Sequence, residues 1–253
     1  MTADEYVGSI VAKYAVPRGP NSPAEQLGAA VAGPVRTWAG GQLNALEYSG
    51  SYAKGTGVHG MSDVDVFISL KSDTSNALKE IYNSLFDLAQ RQGWSPRRQN
   101  VSIGVTINTT RGDLVPGRVQ TGYQNYHSLH LAKRDTWTQT NVALHIDRVR
   151  NSGRVDEIRA VKIWGGLRGL DFPSLYIELF TIQALAGRSQ AALADNTLHV
   201  LRTIGTSLPT TRVEDPANTN NVISDDLSVV DKQRIAGLAA QSVAERSWGA
   251  IIW

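Results

Sequence analysis

The chain has 253 residues, 25 Lys and Arg against 23 Asp and Glu, a formal net charge of +2 and 42% hydrophobic residues. This length suits one large domain or two modest ones with an ordinary core. The mild charge argues against a strong nucleic-acid binder, and the absence of cysteine excludes disulfides and cysteine-based zinc sites. The apolar runs are far too short to cross a membrane, so we expect no membrane partner, no signal peptide and a cytoplasmic location.

The first part of the chain mixes helical and strand patterns. The second predicted helix opens with Ser22 as its N-cap and Pro23 in its first turn, and a later helix ends at Gly93. The predicted elements, in chain order, are helices over 2–14 and 22–44, strands over 46–49 and 63–70, a helix over 73–92, two strands within 97–118, and a loop with a short strand over 122–133.

From residue 142 onward the pattern is helical. Helices are predicted over 142–151, 156–167, 174–186, 190–208 and 228–248, with ordered turns over 209–226, where two prolines stand among Asn, Asp and Thr. We therefore predict an α+β fold in two parts. Residues 1–135 form a mixed sheet with flanking helices, residues 136–253 form a helical lobe, and a functional site lies in the cleft between them.

Two acidic side chains stand at the start of the 63–70 strand. Asp63 and Asp65 flank Val64, and because side chains alternate along a strand, both carboxylates point to the same face. Two carboxylates at one edge repel each other unless a cation lies between them. Carboxylate oxygens suit Mg²⁺, which completes its shell with water and phosphate. The pair therefore predicts a metal ion held against a nucleoside triphosphate.

A glycine-serine turn precedes these acids. Gly50 allows the backbone to approach a phosphate closely, successive N–H groups there can cradle an anion, and the Ser51 hydroxyl adds a donor. Gly55 and Thr56 follow. The turn differs from a P-loop, because no Gly-Lys-Ser/Thr follows at the required spacing.

The spacing of these residues matches a known family pattern. Gly50-Ser51, eleven further residues and then Asp63-Val64-Asp65 on a strand resemble the DNA-polymerase-β-like nucleotidyltransferases. Those enzymes use a third carboxylate on a neighbouring strand. Asp113, which stands before Leu-Val-Pro, resembles the third acid of the branch that holds the bacterial cyclic-oligonucleotide synthases (CD-NTases), the oligoadenylate synthases and the archaeal CCA-adding enzymes.

The resemblance to this branch continues from about Glu47 through most of the chain. The segments downstream of the acids indicate which branch of the superfamily the chain resembles, and they are weaker evidence for the superfamily itself. They are the segments 137–141, 158–164, 172–179 and 215–227, followed by a helix that ends near Trp248.

The resemblance implies NTP substrates and two Mg²⁺ ions, with Mn²⁺ as a substitute. Asp63, Asp65 and Asp113 are its implied catalytic residues and metal ligands. One of the two ions they hold would activate a ribose hydroxyl, and the other would neutralise charge on the triphosphate and the leaving pyrophosphate. The implied nucleotide-binding residues are Gly50 and Ser51 at the β- and γ-phosphates, Lys162 at the triphosphate, Tyr176 under the base, and Ser174 and Asn141. The sequence names neither an activator nor an oligomeric state.

Each candidate outside the Gly-Ser and Asp-x-Asp pair also has an ordinary interpretation. Asp113 can be a turn residue, and Lys162 a surface lysine on an amphipathic helix. Asn141 can be a helix cap, and Ser174 can cap a helix that begins at Leu175. His145, in the same segment as Asn141, fits a role-free core or surface histidine slightly better than a functional one.

The function expected first is a synthase that joins NTPs into a cyclic or linear oligonucleotide second messenger in bacterial anti-phage signalling. The second is a template-independent nucleotidyltransferase acting on RNA ends, as CCA-adding enzymes do, although 253 residues with little excess positive charge leave scant room for gripping tRNA. The third is a non-catalytic nucleotide-binding module, which the presence of all three acids disfavours.

Overall fold

The structure is a computed structural model that describes the backbone of residues 1–253 and every side chain except that of Gln124. The chain divides into two compact units. We call residues 17–53 and 62–146 the sheet unit, and residues 1–16, 54–61 and 147–253 the helical unit. No helix among the described residues is long and apolar enough to span a membrane.

Ten α-helices and nine strands make up the described chain. The helices are α1 Ala3–Lys13, α2 Pro23–Ala39, α3 Gly50–Lys54, α4 Leu78–Arg91, α5 Val142–Arg150, α6 Val155–Leu167, α7 Ser174–Ala184, α8 Leu193–Ser207, α9 Val229–Val243 and α10 Trp248–Ile251. The strands are β1 Leu43–Tyr48, β2 Val64–Leu70, β3 Arg97–Arg98, β4 Ile103–Ile107, β5 Thr110–Gln120, β6 Tyr123–Leu131, β7 Thr136–Thr140, β8 Glu214–Asp215 and β9 Asn218–Val222. Short 3₁₀ turns cover Gly40–Gln42 and Ile223–Asp226.

The sheet unit is built on seven strands in the order β1-β2-β5-β4-β3, with β6 beside β5 and β7 beside β6. Only β2 and β5 run parallel, and the other described pairs are antiparallel. Strand β2 is an apolar run buried at nearly every position, as expected for a strand covered on both faces. Helix α4 presents Ile81, Leu85 and Leu88 to the core, and α2 presents Leu27 and Val31.

The helical unit packs α1 with α6 to α10 around one apolar core. Its largest fully buried side chain is Trp164, whose indole N–H donates to Ser242 at 2.9 Å. Helix α1 begins with a capping box, in which Thr2 and Glu5 each satisfy the backbone N–H of the other. The guanidinium of Arg159 donates to the Val11 carbonyl at 2.6 Å and so ties α6 to α1.

The predicted α+β fold class is confirmed, with strands confined almost entirely to the first part of the chain. Several details of the element prediction were wrong. A nine-residue strand, Tyr123–Leu131, replaces the loop and short strand predicted over 122–133, β7 was missed, and the last predicted helix ends at Val243 with a separate turn of helix over 248–251. The helix predicted over 22–44 ends at Ala39, with β1 beginning at Leu43, and the turn at 50–54 is the short helix α3. The segment 209–226 also contains the small β8-β9 hairpin.

The division at residues 135 and 136 stays a prediction about domains, and the compact units differ from it in composition. Helix α1 and residues 54–61 group with the C-terminal helices, while β7 and the first half of α5 group with the sheet. The physical reason for the first difference is the packing of Val7, Ile10 and Val11 into the core that surrounds Trp164.

Candidate active site

Three carboxylates occupy one face of the β2-β5 strand pair. Asp63 immediately precedes β2, Asp65 is its second residue, and Asp113 lies on β5 in register with Asp65. Residues two apart on a strand share a face, and so do residues in register on neighbouring strands. The parallel register therefore brings Asp113 beside Asp63 and Asp65, although about fifty residues of sequence separate it from them.

Gly50 begins α3 directly against these acids. Its φ is +53°, and a Cβ built on it would come within 1.7 Å of the Asp65 Oδ2 atom. Both the backbone conformation and the available space therefore require glycine. The backbone N–H of Ser49 donates to the Asp65 carbonyl at 2.8 Å, which fixes the turn on β2, and Ser51 follows as a buried residue.

Polar neighbours hold two of the acids. The side-chain amide of Gln99 donates to Asp113 Oδ1 at 2.8 Å, and Nε of Arg111 lies 2.9 Å from Asp63 Oδ1. Burial raises the pKa of Asp113 above its ordinary value, the charge of Asp63 raises it further, and the Gln99 hydrogen bond lowers it in part. Asp63 and Asp113 are thus close enough to repel each other when both are ionised.

These side chains fit a magnesium ion as a donor set. They supply hard carboxylate oxygens on one face, and their mutual repulsion is what a cation would relieve. Among the described residues no three acidic or histidine side chains already form a metal-binding cluster. Because Arg111 and Gln99 contact Asp63 and Asp113, a metal that uses those same oxygens must displace them. Asp63, Asp65 and Asp113 are the side chains that would hold it.

Lys162 belongs to a buried charge cluster in the helical unit. Glu178 on α7 is fully buried, and its carboxylate accepts hydrogen bonds from Lys54 and from Thr56, each at 2.5 Å. The Lys162 ammonium lies 3.7 Å from the same carboxylate, and only 9% of its side chain is exposed. The interpretation of Lys162 as an ordinary surface lysine was therefore wrong.

The remaining candidates, Asn141, Ser174 and Tyr176, lie in different surroundings. The Asn141 side-chain oxygen accepts the backbone N–H of Leu144 at 3.0 Å, so this residue caps α5. Ser174 is the exposed first residue of α7 and caps nothing, because Pro173 occupies the N-cap position. The Tyr176 ring is fully buried between Phe172 and Phe180, so neither of its faces is open to a base in this structure.

The structure therefore gathers one group of candidates and leaves the others elsewhere. Gly50 and the three acids come together in the sheet unit, which also holds Ser51 and Asn141. Lys162, Ser174 and Tyr176 belong to the helical unit. The prediction of a site in a cleft between the two parts stays a prediction.

Several solved structures resemble this chain over nearly its whole length. The CD-NTase CdnG of Bradyrhizobium diazoefficiens, solved with GTP, superposes with a TM-score of 0.79 at 11% identity and covers 96% of this chain and 90% of its own. The CdnC of Escherichia coli MS115-1, solved with ATP, gives 0.73 at 16% identity, covering 98% and 96%. The CdnE cyclic dinucleotide synthase of Elizabethkingia meningoseptica gives 0.72 at 11% identity, covering 97% and 100%.

The chain has the CD-NTase fold. No protein-family model matches its sequence, and no curated protein matches it significantly. The resemblance first seen in the Gly-Ser turn and the Asp-x-Asp strand thus extends in three dimensions to both units, although few side chains are shared.

Sequence reasoning assigned no role to five side chains, of which three contact the candidates and the other two contact Glu178, the neighbour of Lys162. They are Gln99, Arg111, Lys54, Thr56 and Glu178. Lys54 and Thr56 follow the Gly-Ser turn directly, so the turn itself was a signal for them. Glu178 had a weaker signal, as a charged residue in the otherwise apolar run from Leu175 to Phe180. Gln99 and Arg111 reach the acids only through strand pairing, which spacing along the chain does not reveal.

Proposed function

We propose that this protein is a metal-dependent nucleotidyltransferase that joins NTPs into a cyclic or linear oligonucleotide and releases pyrophosphate. The observation that carries the proposal is the register of β2 and β5, which aligns Asp65 with Asp113 and places Gly50 against the same carboxylates. Support comes from the CD-NTase fold, since structures with that fold include a cyclic dinucleotide synthase and proteins solved with ATP or GTP.

Each part of the site has a proposed role. Asp63, Asp65 and Asp113 hold Mg²⁺, which supplies charge neutralisation at the triphosphate and activation of a ribose hydroxyl. Asp113, beside the metal that activates the hydroxyl, also helps to draw the proton from it. The Gly50-Ser51 turn binds the β- and γ-phosphates through backbone N–H groups and the hydroxyl. Lys162 adds a cation to the triphosphate.

The biological setting follows from the same proposal. The product acts as a second messenger in bacterial anti-phage signalling, and NTPs are the small-molecule partners. A protein partner has a precedent in the fold, since the CdnC of Escherichia coli MS115-1 was also solved as a CdnC:HORMA-deltaN complex, which matches this chain at 17% identity and a TM-score of 0.71.

Incubation with four labelled NTPs and Mg²⁺ or Mn²⁺, followed by mass spectrometry of the products, tests the proposal. We expect pyrophosphate together with an oligonucleotide made from free NTPs. The Asp63→Asn, Asp65→Asn double variant is the matched control and is expected to form neither. The proposal fails if the wild type gives no oligonucleotide under any of these conditions while binding NTPs normally, as a non-catalytic nucleotide-binding module would.

A further inference from the structure

A cavity of about 740 Å³ lies within the helical unit and is separate from every residue of the candidate active site. It is bounded by the ends of α5 and α7, by the segment between α7 and α8, and by the β8-β9 hairpin. Its volume is within the range of small-molecule binding sites, which is roughly 300–1,000 Å³. None of the three acids lines it, and neither Lys162, Ser174 nor Tyr176 does.

Arginine dominates the charged groups of this cavity. Arg148, Arg154, Arg188 and Arg212 line it, against Glu214 as the one lining carboxylate. Three of these arginines form ion pairs, Arg154 with Glu157, Arg188 with Asp195 and Arg212 with Glu214. Arg148 is exposed at the end of α5, and no described carboxylate lies within ion-pair distance of it. Counting the paired acids, the cluster keeps an excess of one positive charge.

Arg154 forms part of the cavity wall, and its guanidinium is already engaged in hydrogen bonds within the protein. It is 5% exposed, and its guanidinium donates to Glu157 at 3.0 Å and to the carbonyls of Leu185, Arg188 and Ser189. Asn196 donates to the same glutamate and to Ser189. This network fixes the backbone that carries Arg188, and the Arg188 guanidinium is itself held in place because it donates to Asn196 at 3.0 Å and to Asp195 at 2.5 Å. Preorganised arginine is well suited to phosphate, because its planar fork matches two phosphate oxygens.

The rest of the lining is partly apolar, with Ser152, Gln183 and Gln190 as its uncharged polar side chains. Leu179 and Ile182 of α7, with Val213 and Pro216 of the β8 region, offer a surface that an inorganic ion would not use. An arginine rim over an apolar floor matches a molecule with a phosphate at one end and a flat, weakly polar body at the other. We propose that this cavity binds a nucleotide-sized phosphate ester. Arg148, Arg188 and Arg212 hold its phosphate, and its flat body lies against the apolar floor, which Leu179, Ile182, Val213 and Pro216 form.

Calorimetric titration with AMP in the presence of EDTA tests this site. Without divalent cations the carboxylates of the candidate active site repel a phosphate, so binding there is suppressed. We expect saturable binding of one AMP by the wild type. The Arg148→Glu, Arg212→Glu double variant should weaken it about tenfold or more, since it reverses two charge-assisted contacts. Inorganic phosphate, which has no body to fill the apolar floor, should bind more weakly than AMP.

Two further variants make the outcome decisive. Ala186→Trp changes no charge but fills part of the cavity from an exposed lining position, and it should also weaken AMP binding. Arg234→Glu reverses a positive charge as the double variant does, but at an exposed residue of α9 that does not line the cavity. It should leave AMP binding unchanged. Absence of saturable AMP binding by the wild type overturns the proposal, as does equal affinity in the wild type and both cavity variants. Because no turnover is measured, these outcomes are independent of whether the protein joins NTPs.

Discussion

At the scale of single residues, the surroundings of Asp113 disfavour its ionised form. Burial and the neighbouring Asp63 raise its pKa from 3.8, so the folded protein binds the proton more tightly than the unfolded chain does. Ionised Asp113 therefore destabilises the fold once the pH rises through its raised pKa. At pH values below 3.8 the group is protonated in both states and this penalty is absent.

Asp113→Asn should accordingly raise the thermal midpoint at pH 7 in EDTA, and the gain should shrink as the pH falls towards and below 3.8. The asparagine keeps an oxygen that can accept from Gln99, so the neighbouring hydrogen bond need not be lost. Thermal unfolding of both proteins across this pH range is the measurement. Asp73→Asn, at an exposed acid of the same unit, is the control. A midpoint difference that does not vary with pH would contradict the electrostatic explanation.

The Asp63→Asn, Asp65→Asn double variant should lose turnover by about a thousandfold or more. The loss follows because metal binding contributes several kcal/mol of transition-state stabilisation, and each 1.4 kcal/mol is a factor of ten in rate. The fold should persist, because these side chains are only partly buried and repel one another without a cation. Pyrophosphate release and the thermal midpoint are measured together, with Asp73→Asn as control. Retained activity would remove both acids from the metal site.

Lys162→Met tests the proposed triphosphate contact while keeping most of the apolar stem. Loss of a charge-assisted phosphate contact worth roughly 1.5–3 kcal/mol should raise the KM for NTP, lower kcat, or both, by about 10- to 150-fold in kcat/KM. Lys232→Met removes another largely buried lysine of the helical unit and should leave the kinetics unchanged. If kcat and KM of Lys162→Met equal those of the wild type, Lys162 has no role at the triphosphate.

At the scale of elements, helix α7 depends on the cluster around Glu178. Replacing Glu178 with Gln removes the carboxylate that pairs with the buried Lys54 ammonium at 2.5 Å, and such a loss typically costs about 3–5 kcal/mol. In a chain of this size each kcal/mol lowers the midpoint by roughly 2–4 °C. We therefore expect Glu178→Gln to lower Tm by roughly 6–20 °C. Glu245→Gln, at an exposed acid, should change Tm little.

A second variant separates charge from packing in this cluster. Lys54→Met combined with Glu178→Gln also removes the buried cation that Glu178 contacts at 2.5 Å, so the double variant should unfold at a higher temperature than Glu178→Gln alone. If the two substitutions are simply additive, the ion pair does not explain the stability of α7. The same pair of variants also shows whether NTP affinity follows the cluster, because Lys162 shares the Glu178 carboxylate.

The success of sequence prediction differed between elements for physical reasons. Strand β2 was predicted almost to the residue, because a short apolar run rich in Val, Ile and Phe favours a strand over a helix. Strands β6 and β7 carry Gln, Asn, His and Thr in place of an apolar alternation, and pairing with β5 and with each other is what defines them. Their existence is a tertiary effect, which local propensity does not contain.

At the scale of the whole molecule, the sequence could predict the motif but not which segments pack together. Gly50, Asp63 and Asp65 lie within sixteen residues and were predicted from spacing alone. The grouping of α1 with the C-terminal helices depends on contacts such as that between Arg159 and the Val11 carbonyl, 148 residues apart in the chain. No local signal marks such a partner, so the composition of the two units became visible only in the structure.

The choice of acceptor is also a property of the whole molecule. The chain carries 25 basic against 23 acidic side chains, and its fold matches CD-NTases over nearly all of its length. A polynucleotide acceptor would be recognised mainly by neutralising its phosphates, which needs a basic surface of several charges. We therefore expect free NTPs to serve as both donor and acceptor.

Reactions with labelled ATP, with and without tRNA, decide whether free NTPs are the acceptor when the products are separated by size. Label that appears only in extended tRNA, with no small oligonucleotide from free NTPs, would show that the protein modifies RNA ends. A nucleic acid that stimulates synthesis without being extended would be an activator, and the small oligonucleotide would still be the product.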